Sequence, residues 1–160
     1  MAAPGKWKLY EKANLRLADG TFDMDNASLG LTMALFLSTS NANTLSVGTG
    51  VYGDLTNEVA TAFGYTQGGQ ALTGETWSNA ASVVTFTGVN PVVWTATGGS
   101  ITARFAVIYC NATVNTIVKP LLCVSLLDTA PADVTATTGN TFTVTPTGGA
   151  IFTQTAGTSD

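Results

Sequence analysis

Histidine does not occur in this chain of 160 residues. Its absence removes the commonest general base, the commonest transition-metal ligand and every Ser-His triad. Charge is scarce as well: Asp, Glu, Lys and Arg make up 10% of the residues, against about 25% in an average soluble domain. So few charges solvate a free monomer poorly, which points to a protein that buries surface against partners. The two cysteines supply no complete zinc site without histidine. No run approaches the roughly 18 apolar residues needed to span a bilayer, so no membrane partner is expected. The opening MAAPGKWKLYEK lacks the apolar core of a signal peptide, and synthesis in the cytosol is expected. Basic side chains are confined to Lys6, Lys8, Lys12, Arg16, Arg104 and Lys119. With a net charge of −4, that distribution argues against nucleic acid as a direct partner. The N-terminal cations read as a solvated helical face.

What is present is strand chemistry. Lys6 to Ala18 reads as a short helix stopped by Asp19-Gly20, with a strand as the alternative. From Leu29 to Leu37 the odd positions are all apolar, which predicts a half-buried strand. Ser38 to Gly53 is a long Ser, Thr, Asn and Gly loop, of the kind that is commonly functional or interfacial. Asp54 is expected to cap one helical turn through Leu55, Glu58 and Val59. Strands are predicted over Ala71–Ser78, Ser82–Thr87, Val92–Thr95, Ile101–Cys110 and Ile117–Leu127. In the Ile101 strand, Ile101, Ala103, Phe105, Val107 and Tyr109 form the core face. Pro120 cannot donate a ladder hydrogen bond, so it marks an edge or a bulge. A turn over Asn111 to Thr116 would set Cys123 opposite Arg104, too far from Cys110 for a disulfide.

Short strands with Gly and Pro turns and little helical signal predict a mainly β fold. The expected form is an antiparallel β-sandwich or jelly roll with a short N-terminal helix or arm. Residues 1–128 form the sandwich domain in this reading. Residues 129–160 are a Thr/Gly-rich extension, either a final hairpin or an arm docked on a neighbouring subunit.

Few side chains are candidates for chemistry. Asp19, Asp23, Asp25 and Asn26 are oxygen-rich, but they do not have the spacing of a twelve-residue calcium loop, and turn chemistry accounts for them. Glu58 and Glu75 have no surrounding pattern that makes them a glycosidase pair. No catalytic residue, metal site or cofactor is therefore expected. The sequons at Asn26 and Asn111 carry no meaning without a secretory signal. Arg104 lies among apolar neighbours and needs either an intrachain partner, Asp54 or Glu58, or a contact on another subunit. Trp77 and Trp94 read as core. Trp7, near a terminus, is the better partner anchor. Together with Arg104, Phe142, Ile151 and Phe152 it makes up the set of interface candidates.

One stretch carries a resemblance. The order Gly64-Tyr65, Gly69, Leu72-Thr73-Gly74, Trp77, Trp94, Gly98-Gly99-Ser100-Ile101-Thr102-Ala103-Arg104 and Val107-Ile108-Tyr109 resembles small structural proteins of tailed-bacteriophage virions, many of them capsid-decoration proteins. Leu17 to Leu37 fits the opening of the same group, and the segment from Thr129 onward lies outside the resemblance. It implies a non-enzymatic building block that decorates or cements the capsid surface by contact with the major capsid protein. Self-association is expected too, with a trimer favoured on shell symmetry grounds. A tail or head-fibre component is the rival within that class. A host-adhesion or carbohydrate-binding module is the alternative outside it, to be recognised by Tyr52, Tyr65, Gln67 and Gln70 in one shallow exposed patch.

Overall fold

The computed structural model describes residues 5–24, 29–81, 83–87, 89–128, 132–146 and 151–155. Strand β1 (Lys8–Leu9) leads into helix α1 (Glu11–Ala18), which ends at Asp19 with Gly20 in the left-handed region. The helix is therefore shorter than the sequence suggests: residues 5–9 run along a later strand instead. Strand β2 (Leu31–Phe36) follows, then the long loop, which closes in a 3-10 turn over Tyr52–Asp54. Asp54 ends that turn, and no helix follows it through Glu58. Next come β3 (Gln70–Ala71), β4 (Thr76–Ala80), β5 (Val83–Thr87), β6 (Val92–Thr95), β7 (Ile101–Ala103) and β8 (Phe105–Cys110). The remainder is β9 (Thr113–Val114), β10 (Ile117–Val118), β11 (Leu121–Leu126), β12 (Val134–Ala136), β13 (Thr141–Val144) and β14 (Phe152–Thr155).

The pairing has a simple logic. Asn115 and Thr116 both take positive φ, 45° and 69°, and close a two-residue hairpin turn between β9 and β10. From that tip the two arms of one long antiparallel hairpin pair outward in nested order: β8 with β11, β7 with β12, β6 with β13 and β5 with β14. The arms then recruit earlier strands. The inner section widens into the sheet β1-β11-β8-β2-β3, and the outer one into β14-β5-β4. The fold is mainly β, antiparallel and sandwich-like, with one short helix. Segments after residue 129 thus add a partner strand to β7, β6 and β5 in turn. They form no hairpin among themselves within the described residues.

Two expectations change at the centre of this sheet. All six residues of β2 and all six of β8 are buried. The alternation that predicts half-buried strands is real, but the second face carries small side chains such as Ala34 and Ala106, and other segments lie on it. At the edge of the sheet β3 pairs with β2, and the chain entering it comes so close that a Cβ on Gly69, at φ +75°, would overlap the Met33 carbonyl oxygen; only glycine fits there. The predicted Ile101–Cys110 strand divides at Arg104, where the chain leaves the β7–β12 ribbon and joins the five-stranded sheet. Arg104 marks the corner: its N–H donates to the Phe36 carbonyl at 2.7 Å, and its carbonyl accepts from Leu127 at 3.0 Å.

The turn centred on Asn115 and Thr116 puts Cys123 opposite Ile108, not Arg104. A register irregularity lies between Leu121 and Cys123, just after Lys119 at φ 49° and Pro120. Both cysteines are free and buried. Burial pushes the Cys123 thiol well above its ordinary range, and it raises Cys110 too, whose Sγ–H donates to the Leu29 carbonyl at 2.8 Å. Thiolate is the reactive form. The native protein should therefore show no reaction with a small thiol reagent at neutral pH and release two thiols per chain on denaturation. A native thiol that reacts at the denatured rate would contradict this packing.

Candidate functional site

Polar groups meet in two places, and both belong to the loop that follows β2. In the first, Arg16 of α1 is only 7% exposed and donates to the carbonyls of Gly50 at 2.6 Å and Thr49 at 2.9 Å. The helical face that reads as solvated therefore sinks its arginine, and desolvation lowers the pKa of Arg16. Asp54 holds the same loop from within, accepting from Thr49 N at 2.7 Å, Thr49 Oγ1 at 3.1 Å and Val51 N at 3.1 Å. Burial works against its charged form, but these donors outweigh it and hold the carboxyl below its ordinary value.

The second place is built on Glu58, which forms an isolated bridge with Phe36 of β2. One carboxylate oxygen accepts from the Tyr65 hydroxyl at 2.7 Å and from Gly68 N at 2.7 Å. The other accepts from the Tyr52 hydroxyl. Tyr65 in turn accepts from Leu35 N at 2.9 Å, and Tyr109 donates to the Gly68 carbonyl at 2.9 Å. The Tyr52 and Tyr109 rings stack with centroids 4.3 Å apart, and the Lys119 ammonium lies 5.6 Å above Tyr52. A carboxylate with three donors is a structural anchor, since its acceptor sites are taken up in binding the loop to the sheet. Tyr65 is 1% exposed and both tyrosine hydroxyls face Glu58. The shallow patch of Tyr52, Tyr65, Gln67 and Gln70 that would mark a sugar-binding surface is therefore not assembled.

The interface candidates fall mostly inside the chain. Trp7 is half-buried against the core and its Nε1 is sealed from solvent. Phe142 is 1% exposed and meets Trp94 edge-on, and Ile151 is 4% exposed. Phe152 packs with Phe86 and Trp77. The outer hairpin arms bury Phe142 and Ile151, whereas Phe152 and Trp7, the latter just before β1, are half-buried. Arg104 donates to the Ala132 carbonyl, whereas Asp54 and Glu58, its expected partners, are engaged by the loops described above. Trp94 is core as expected, and Trp77 is half-buried on the wall of a cleft of about 570 Å³ that also takes in Met24, Leu31, Leu72 and Phe86. Glu75 stands on the rim of that cleft, away from the tyrosines bound to Glu58. Asp19 accepts from Thr21 N at 2.8 Å, the turn chemistry that its sequence suggests. Asp25, Asn26 and the first sequon lie outside the described residues. Among the described residues no group of three or more Cys, Asp or Glu side chains could hold a metal ion, and no helix is long and apolar enough to cross a membrane.

One feature escapes motif reading because it is an absence. Residues 76–103 and residues 134–159 contain no charged side chain. The fold pairs these two stretches with each other, through β7–β12, β6–β13 and β5–β14. Threonine occupies many of their exposed positions among the described residues, and Thr102 and Thr135 meet through a 2.9 Å hydroxyl contact.

No protein-family model, no curated protein and no solved structure matches this chain.

The tyrosines give a test of the Glu58 anchor. Burial raises the pKa of Tyr10, Tyr52 and Tyr65 far above 10, and it pushes Tyr109 up to about 12, with the Glu58 charge adding to the last three. A raised phenol pKa favours the neutral form in the fold. The associated stability is complete below the unfolded value near 10 and is lost as pH rises through the folded values. Absorbance near 295 nm at about pH 11 should therefore show almost no tyrosinate while the chain is folded, then a single cooperative rise on alkaline unfolding. Gradual ionisation with a midpoint near 10 would refute the network. Glu58→Gln should lower stability by about 2–4 kcal/mol in urea unfolding, because it removes a charged acceptor from buried donors.

Proposed function

We propose that the protein is a structural component of a tailed-phage virion, placed on the capsid surface and bound to the major capsid protein. The observation that carries this reading is the use to which the chain puts its reactive groups. Glu58, Asp54, Arg16 and all four tyrosines serve the fold, and the exposed remainder of the outer hairpin is uncharged. A surface of this kind suits contact better than turnover. The resemblance supports the same reading, and its pattern residues have structural work here: Gly69 fits beside the β2 backbone, Tyr65 and Tyr109 join the Glu58 anchor, and Trp94 fills the core.

Such a protein strengthens a shell by area. Each contact of about 1,000 Å² or more adds apolar burial that must be broken before the shell opens under the pressure of packaged DNA. Particles of the encoding phage that lack the protein should keep their geometry and tail but release DNA at a lower temperature. Added protein should restore resistance saturably, because binding only to the intact lattice stabilises it by mass action. Glu75→Gln, on an exposed side chain, should leave that rescue unchanged. Particles with robust heads that are tailless or fail to adsorb would reassign the protein to the tail or to host recognition.

A further inference from the structure

We infer that the cleft walled by Trp77 binds an organic cation: a positive head on a short apolar stem, such as a lysine side chain or a free alkylammonium carries. The inference goes beyond the capsid reading and does not depend on it.

The cleft lies between the two larger sheets, with Leu31 contributed by β2 and Trp77 and Phe86 by β4 and β5. Trp77 is paired with Phe86 across one ladder, and Phe152 of β14 is paired with Phe86 across the next. The three rings pack with centroids 5.7–6.2 Å apart, which fixes Trp77 in place and leaves it half-buried. Met24 and Leu72 complete the wall of a space of about 570 Å³, within the range of small-molecule sites. A second hollow of about 390 Å³ shares Met24 and Trp77 and has Asp23 on its wall.

The rim decides the ligand. Asn90 ties down Thr73, its Nδ2 donating to the hydroxyl at 3.1 Å and its backbone N to the carbonyl at 2.9 Å. The Thr76 hydroxyl donates to the Thr87 carbonyl at 3.3 Å. Glu75, between them, has no hydrogen bond or ion pair among the described residues. It differs in this from Glu58, Asp54 and Asp19, which all accept bonds within the chain. Among the described residues neither hollow is lined by Lys or Arg, and residues 76–103 supply no charge of either sign.

An unbalanced carboxylate at the mouth and an indole on the wall are the two features that hold a cation. The first acts by charge and the second by the negative face of its π system, for which tryptophan is the strongest aromatic side chain. Met24 and the aliphatic wall take the stem. An anion would meet Glu75 with like charge. A neutral sugar would set hydroxyls against Leu31, Leu72 and Phe86, where they find no partner.

The probe is n-butylammonium chloride, read through the Trp77 indole N–H signal in NMR spectra, which Trp77→Phe assigns by its loss. The parent chain should show a saturable shift with a Kd on the order of 10 mM. The neutral analogue 1-butanol should give none, and about 0.5 M NaCl should weaken n-butylammonium about threefold or more. Glu75→Gln should weaken binding about fivefold and leave the melting temperature unchanged, since Glu75 makes no bond in the fold. Trp77→Phe, followed on the Met24 methyl signal, should weaken it about threefold. A short peptide with one internal lysine that binds about tenfold tighter than n-butylammonium identifies the ligand as a peptide side chain; equal binding identifies a free amine, and either result supports the site. The ligand is not the shell itself, so Glu75→Gln separates the two: cleft binding falls while the rescue of particles stays. No saturable shift by about 200 mM n-butylammonium overturns the proposal. So does a shift that 1-butanol reproduces, that salt leaves unchanged or that Glu75→Gln retains in full, and so does maltose binding more tightly than n-butylammonium.

Discussion

The two left-handed residues at the hairpin tip, Asn115 and Thr116, are the constraint on which most of the β structure depends. They fix which residue of β8 faces which residue of β11, and the outer ladders follow in nested order along the same two arms. A strand slipped by one residue turns its whole inward set to solvent. In β6–β13 that slip would expose Trp94 and Phe142, two of the largest buried side chains in the molecule. The cost of exposing them is what holds the register far from the turn, where no tight loop enforces it.

The loop after β2 needs its own fastening, because it contributes little regular structure. Glu58 and Asp54 provide it in different ways. Asp54 gathers donors within a few residues of itself, while Glu58 accepts the hydroxyls of Tyr52 and Tyr65, reaching β2 through Tyr65, and binds Gly68 N, whose own carbonyl takes the Tyr109 hydroxyl of β8. Arg16 reaches the loop from the helix side. All three place charge where hydrogen bonds compensate for lost water, which is the condition for burying it at all.

Local features were legible in the sequence. The Asp-Gly helix stop, a strand within Leu29 to Leu37, observed as Leu31–Phe36, the disruption at Pro120 and the mainly β class all follow from propensity and period. Long-range features were not. The division at Arg104 arises because one continuous alternating run serves two sheets, and alternation carries no mark of the change. Phe142 and Ile151 look like anchors for a partner until their strands are seen to pair with β6 and, through Ile151 N and the Phe86 carbonyl at 2.8 Å, to reach β5. The Glu58 network was hidden for another reason: Tyr52, Glu58 and Tyr65 are close in sequence, but their meeting depends on a loop path that no propensity specifies. The uncharged face could have been found by reading where Asp, Glu, Lys and Arg stop.

The nested hairpin also bears on how quickly such a chain can find its structure. Val83 and Thr155 are distant along the chain, and bringing them together directly would incur the full entropy of closing a long loop. Once β8 lies against β11, however, the free loop between β7 and β12 is short, and each ladder that forms shortens the next closure. Sequence separation therefore overstates the kinetic distance of the outermost strands. Loop-closure entropy favours assembly from the tip at Asn115 towards the two ends of the ribbon.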